Sequence, residues 1–540
     1  MASHVLLNLA LFLIPLSTST RITNPFELTK WLMTGLILVV MMAIQLFSSA
    51  TPKLPAIPRR GVALLVAVIL GQLIGIFIHN RLVWSDYLYY LFVLFGYGYF
   101  FYNDFQKSGF SVLQDYAKSL LIGSFLVAVI GLSQIWGFKP LQQIMGIMNG
   151  EGVAATFGNI NYTGQYIGLC VLFFIFGNAT SESKVFRRLH FSGIVLSLTY
   201  FSFLNTRSII VGLTLAASWF VWRGHLLTKR RFAQLIVGTT VAITLTHALG
   251  RVTKAASQPR AVVGASRQES ANIRLDMWAG AAQMIADHPL GVGVRNFDFE
   301  FVPYREWAKV SIGDNEVIAS PHNEFLSIAA QSGLPVALLI FYACYWLFSR
   351  FARAKAFALE RPGVYDLFVG LSLLFFVEAL FQFPFDGQWS IVVFSMLVAG
   401  FASVVFGVKE ATLVIMRPVG LCVAIFGFYA LVAWYRASAA NYSHDALRSA
   451  CEARPQDWFR CGLFAEELYR SGKFDEAESL LKVELERNPN NWVAMGVLGD
   501  LYMNSGKELQ GCEILRKIDV MFNQKSYGHD LIGAYCQGPR

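Results

Sequence analysis

Trp389-Ser-Ile-Val-Val-Phe-Ser-Met-Leu-Val-Ala-Gly-Phe-Ala-Ser-Val-Val-Phe-Gly-Val408 runs for 20 positions without one ionisable side chain. At about 1.5 Å of rise per residue, such a run makes a helix about 30 Å long, the thickness of a bilayer's hydrocarbon core. No water reaches the backbone there, so a helix, which pairs its N–H and C=O groups within the segment, is the conformation that suits it. Runs of the same kind occupy residues 31–49, 62–79, 87–102, 119–136, 165–177, 191–204, 208–222, 232–249, 325–348, 364–381 and 413–434. Residues 5–16 form a shorter run without the basic flank or small-residue cleavage site of a signal peptide, and read as one more helix. The sequence predicts an all-α polytopic membrane bundle of about 12–13 spans over residues 1–434.

Composition agrees: of 540 residues, 55% are hydrophobic and 15% charged, and the mean hydropathy is +0.48, which excludes an ordinary soluble protein. The net charge of +9 comes from 44 Lys and Arg against 35 Asp and Glu. No basic run is interleaved with stacking aromatics, so nucleic acid is not an expected partner. The cations instead sort by loop. Strict alternation puts Lys53, Arg59, Arg60, Lys184, Arg187, Arg188, Arg223, Lys229, Arg230, Arg231, Arg350, Arg353, Lys355 and Arg361 on one side, against Arg21, Lys30, Arg81, Lys139 and Arg207 on the other. The rich side reads as cytoplasmic, with the N-terminus inside and both the loop 250–321 and the segment after Trp434 outside.

Residues 435–540 lack any spanning run and read as a small soluble helical-repeat domain. Gly472-Lys-Phe-Asp-Glu-Ala477, Asn488-Pro489, Leu498-Gly499-x-x-Tyr502 and Gly506 fit the tetratricopeptide pattern, with Ala465/Gly499 and Gly472/Gly506 at its 34-residue period. Such a domain is a place for a protein partner. Cys170, Cys344 and Cys422 lie in apolar spans, whereas Cys451, Cys461, Cys512 and Cys536 form an even set in the tail. The four are either disulfides of an oxidising compartment or thiols buried between helices.

The chemistry gathers at the outer face. Thr206-Arg207-Ser208 joins two spans almost without a loop, which sets Arg207 at the membrane boundary as an anchor or an anion clamp. The long loop holds Ile273-Arg274-Leu-Asp-Met-Trp278 and His288-Pro289-Leu-Gly-Val-Gly293, and ends in Ser320-Pro321-His322-Asn323-Glu324 at the mouth of the next span. Within the bilayer, Glu378, Gln382 and Asp386 recur every four residues, the spacing of one helix face. Glu378 would pair inside the bundle, and Asp386 would reach the outer cavity.

With Gly158-Asn159-Ile-Asn161 before a span and Gly333-Leu334-Pro335 after His322-Asn323, these segments resemble the O-antigen ligase superfamily of O-antigen ligases, O-antigen polymerases and bacterial protein O-oligosaccharyltransferases. The resemblance covers residues 1–434 in hydropathy and is sharpest from Asn159 to Pro335. Where an acidic residue and glycine often follow His-Asn in that family, this chain has Ala330-Gln331-Ser332-Gly333. The resemblance implies a GT-C-like bundle in the bacterial inner membrane and glycan transfer from undecaprenyl diphosphate to an acceptor hydroxyl at the periplasmic face. Lipid A-core leads as acceptor; a protein or a growing glycan is the alternative. It makes Arg207 and Arg274 the holders of the diphosphate and His322 either the base or a phosphate ligand. Asn159, Asn161, Asn323, Glu324 and Asp386 are expected to bind substrate.

Neither a His-Glu-x-x-His nor a Cys-x-x-Cys pair appears, and Asp298/Glu300 and Asp314/Glu316 make no complete ligand set, so a metal-independent enzyme without cofactor is expected. A lipid-linked glycan transporter or flippase is the alternative of another class. It would place ionisable groups near the midplane, whereas here they collect at the outer face.

Overall fold

The computed structural model describes residues 2–18, 26–48, 53–78, 84–136, 138, 153–204, 206–252, 267–294, 296–304, 320–385, 387–410, 422, 425–427, 429, 432, 444–453, 458–487, 489–521 and 536. The chain is almost wholly helical, as the hydropathy pattern requires. The helices are α1 (Ala2–Leu16), α2 (Glu27–Phe47), α3 (Arg59–Ile78), α4 (Trp84–Ser108), α5 (Val112–Ile135), α6 (Ile160–Thr180), α7 (Lys184–Phe201), α8 (Arg207–Arg223) and α9 (Lys229–Val252). After them come α10 (Arg267–Asp287), α11 (Phe297–Glu300), α12 (Glu324–Ser332), α13 (Leu334–Ala352), α14 (Lys355–Glu360), α15 (Pro362–Phe381) and α16 (Gln388–Val405). The tail adds α17 (His444–Ala453), α18 (Trp458–Arg470), α19 (Phe474–Arg487), α20 (Trp492–Asn504) and α21 (Glu508–Met521).

Among the described residues, six stretches are long and apolar enough to cross a membrane: Thr29–Phe47, Tyr89–Ile135, Ile160–Thr180, Leu334–Ala352, Pro362–Phe381 and Gln388–Val405. The chain is a multi-pass membrane protein. Most of the expected span 413–434 lies outside the described residues.

Two local expectations are corrected. The run 325–348 is two helices, because Gly333, at φ +84°, breaks α12 from α13. The face expected to join Glu378 to Gln382 and Asp386 does not continue. Pro384 disfavours a helical residue before it, and α15 stops at Phe381 with Gln382 extended at φ −145°. Asp386 itself lies outside the described residues. Beside the helices, the described residues include a two-stranded antiparallel ribbon, β1 (Lys53–Pro55) on β2 (Val408–Glu410), which pairs Lys53 with Glu410 and Leu54 with Lys409.

The chain's contacts group into two compact units, Met1–Val62 with Leu88–Val262 and Ala343–Val432, and Ala63–Tyr87 with Val263–Tyr342 and Ala433–Arg540. In the first unit, small residues let backbones close on one another. A β-carbon on Gly168 would lie 2.7 Å from Ile209, one on Gly212 2.5 Å from Leu374, and one on Gly370 2.4 Å from Phe220, so α6, α8 and α15 pack tightly. Phe351, Phe368 and Phe401 pack as an aromatic knot nearby. Lys30, 1% exposed, donates to the carbonyls of Ser17 at 2.9 Å and Thr156 at 2.6 Å, and sits 4.7 Å over the Phe157 ring. A buried ammonium is tolerated because these carbonyls replace its water.

In the second unit, Met277, Ala281, Met284, Val292, Phe297, Phe301 and Ala330 form one apolar cluster. The tail stacks helix on helix, and its turns at Gly472 and Gly506 are both left-handed, at φ +77° and +76°. The four tail cysteines form two disulfides, Cys451–Cys461 with Cα atoms 4.8 Å apart and Cys512–Cys536 at 5.6 Å. Val302, from the segment after α11, packs into a cluster with Met495, Cys512, Leu515, Ile518 and Cys536. Asn490 Nδ2 donates to Glu300 Oε2 at 3.3 Å beside it.

Candidate active site

His322 stands immediately before α12 with φ +51°, one of two non-glycine residues of positive φ among those described. Histidine visits this region more readily than most residues, yet a left-handed conformation still costs about 1–3 kcal/mol and persists only when the surroundings impose it. Three groups impose it here. Asn323 caps α12, its Oδ1 accepting from Leu326 N–H at 3.1 Å. Trp278 Nε1–H donates to the Pro321 carbonyl at 2.9 Å. Ser320, Asn323 and Glu324 are all buried, while His322 is half-buried.

Arg274 and Trp278 are four residues apart on α10 and therefore share a face. Because Trp278 bonds the turn that holds His322, that face of α10 is the one directed at the turn. The role of Trp278 was not foreseen; its spacing from Arg274 was the available signal.

The segment His288–Gly293 runs against the end of α12. Val292 N–H donates to Ala330 O at 2.9 Å, Gly293 N–H to Gln331 O at 3.0 Å and Leu334 N–H to Pro289 O at 2.9 Å. Gly291 and Gly333 make that approach sterically feasible. Burial, with Asp287 as hydrogen-bond partner, pushes the Tyr304 phenol up to about 12.

The other expected residues belong to the first unit. Arg207 opens α8 and is exposed. Its neighbours Thr206 and Ser208 are buried with hydroxyls that meet no partner. A β-carbon on Gly164 would touch Thr206 Oγ1 at 2.5 Å, so the starts of α6 and α8 abut. Asn159 caps α6, its Oδ1 accepting from Asn161 N–H at 2.8 Å. Asn161 Oδ1 in turn accepts from Gln382 Nε2 at 3.5 Å. Arg207, Asn161 and the end of α15 are thus gathered at one end of a three-helix contact. Asn159 and Asn323 each commit Oδ1 to a helix cap in this geometry.

Residues 192–341 match the family model Wzy_C, described as O-antigen ligase. This match supports the resemblance to the O-antigen ligase superfamily. Arg207, Arg274 and His322 all fall within the matched O-antigen ligase segment, whereas Asn159, Asn161 and Asp386 lie outside it. No curated protein matches the chain. The matched family points to membrane glycan transfer in pathways of the lipopolysaccharide kind. Among the described residues, no three His, Cys, Asp or Glu side chains gather as a metal-ligand set.

Proposed function

We propose that this protein transfers a glycan from undecaprenyl diphosphate to an acceptor hydroxyl on the periplasmic face of the inner membrane, with lipid A-core as the acceptor. The observation that carries the reading is His322, held in a left-handed turn inside the matched ligase segment. The acceptor oxygen attacks the anomeric carbon and its proton passes to the His322 imidazole. The C–O bond to the diphosphate breaks, and the electron pair leaves with undecaprenyl diphosphate. Arg207 and Arg274 stabilise the charge that develops on that leaving group, since guanidinium pairs with phosphate oxygens through two parallel hydrogen bonds. The chemistry needs neither nucleotide hydrolysis nor a metal.

The contact of Val302 and Glu300 with the tail supports putting the long loop and the C-terminal helices on one side of the membrane, and the two disulfides support the oxidising side. The paired turns at Gly472 and Gly506 support a tetratricopeptide-like tail. Because that tail is seated on the loop that leads to His322, it also favours a second reading, in which it presents a protein acceptor. Purified protein, given a lipid-linked glycan and lipid A-core without nucleotide, should form the conjugate. Transfer only to a protein hydroxyl would select the second reading, and no transfer to any acceptor would overturn both.

A further inference from the structure

Away from the outer face, at the end of the first unit that carries the Arg- and Lys-rich loops, lies a cavity of about 510 Å³. Phe110, Phe176 and Val364 give it an apolar wall, and Ser111, His225 and Arg361 a polar one. Nothing in the proposed transfer uses it. We propose that it binds the headgroup and upper acyl chain of an anionic glycerophospholipid from the leaflet at the basic end.

Three observations carry this. First, His225 is fixed by a carboxylate inside the bundle. Asp366, fully buried, accepts from His225 Nδ1 at 2.8 Å, Arg223 Nε at 3.2 Å and Trp219 Nε1 at 3.2 Å. With Nδ1 committed, Nε2 is the nitrogen that faces a ligand, and it suits a headgroup hydroxyl when neutral and a phosphate oxygen when protonated. Arg223 is spent on Asp366 and on the Trp219 and Tyr365 rings, so the cation of this wall is Arg361.

Second, the cavity is two-sided in chemistry. A soluble phosphate would need only the polar side chains; the phenyl rings that share the lining have no use for it. An amphiphile fills both, its phosphodiester on Arg361 and its first methylenes on Phe110 and Phe176.

Third, the rim marks the lipid–water boundary. Trp222, in the last turn of α8, is 74% exposed, and Leu359, in the short α14 just before Arg361, is 82% exposed. An exposed tryptophan and leucine beside arginines are what the headgroup level of a bilayer selects. The lining residues His225 and Arg361 follow these exposed side chains by three and two positions, which puts the cavity within reach of a headgroup.

The test uses the full chain in neutral detergent, with bound lipid counted by native mass spectrometry. Phosphatidylglycerol should be retained over phosphatidylethanolamine. Arg361→Gln should reduce that retention about tenfold, the effect of one lost charge-assisted hydrogen bond. Ser111→Trp, which fills the cavity from an exposed position, should abolish it, and both variants should elute like the unmodified protein. Equal retention by all three proteins would overturn the proposal. So would displacement of the lipid by millimolar inorganic phosphate, which would make the ligand a free anion.

Discussion

Gly291 and Gly333 meet backbone to backbone: a β-carbon on Gly291 would lie 2.4 Å from the Gly333 nitrogen, and one on Gly333 2.5 Å from the Leu290 carbonyl. Both have positive φ, +86° and +84°. The contact pins the His288–Gly293 segment to the end of the helix that begins beside His322. Alanine at either position faces a clash and a disfavoured φ together, a cost of about 3 kcal/mol. Gly291→Ala and Gly333→Ala should each lower the thermal midpoint and the transfer rate, whereas alanine at Gly496, where no neighbour lies within 4 Å, should do neither.

His322→Asn separates conformation from chemistry. Asparagine tolerates the left-handed region, so the turn should persist while transfer falls about 10²- to 10⁴-fold, the worth of a positioned acid–base group. If His322 takes the acceptor proton, donor binding should survive; a loss of donor affinity instead would assign it to phosphate. Arg207→Lys and Arg274→Lys keep charge without the planar fork and should rescue poorly. Transfer at the native rate by His322→Asn, at matched abundance, would remove histidine from the mechanism.

Metal independence has its own measurement. Transfer should continue undiminished in EDTA; abolition by EDTA with recovery on adding a divalent cation would refute it.

Lys30→Met keeps length but strips the ammonium from the carbonyls of Ser17 and Thr156. Leaving buried carbonyls unpaired should destabilise the protein by about 2–4 kcal/mol. Transfer should fall with it, because residues 153–158 lead directly into the Asn159 cap. A variant as stable and active as the native protein would mean that the clamp is dispensable.

The tail has an acid-labile tie. Hydrogen bonds from Lys482 and Lys507 hold the Glu478 carboxyl down to about 2, at 2.7 and 2.8 Å. A depressed folded-state pKa means that the tie contributes fully above the ordinary carboxyl range and is lost as pH falls through the folded value. Amides of α19 and α20 should therefore lose hydrogen-exchange protection between about pH 4.5 and 2. Glu478→Gln should show that weakening already at pH 7, modestly, since both lysines are well exposed.

Hydropathy made the membrane helices legible because burial in lipid constrains every residue of a span at once. The same signal ran straight through Gly333, since Leu334 and its successors are as apolar as the helix before them, and only the backbone conformation separates the two. Local spacing held a signal for Trp278 beside Arg274, whereas Asn323, read as a substrate ligand, stands at a helix cap. The partners of Lys30, 126 residues away at Thr156, could not be placed from spacing, because nothing local distinguishes a lysine bound to distant carbonyls from one in a loop. Nor could the Lys53–Glu410 ribbon pair, or the left-handed turn at His322, which is imposed by its neighbours against the residue's own preference.

Val302 is made well before its packing partners, Met495 to Cys536. While the ribosome is still at work on those helices, the segment from Phe297 to Tyr304 is already outside the translation machinery without the surface it rests on. Synthesis of those helices and closure of Cys512 with Cys536 is then the moment at which this loop acquires the surface it packs on. The loop thus waits on residues translated long after it, and its folding is tied to theirs.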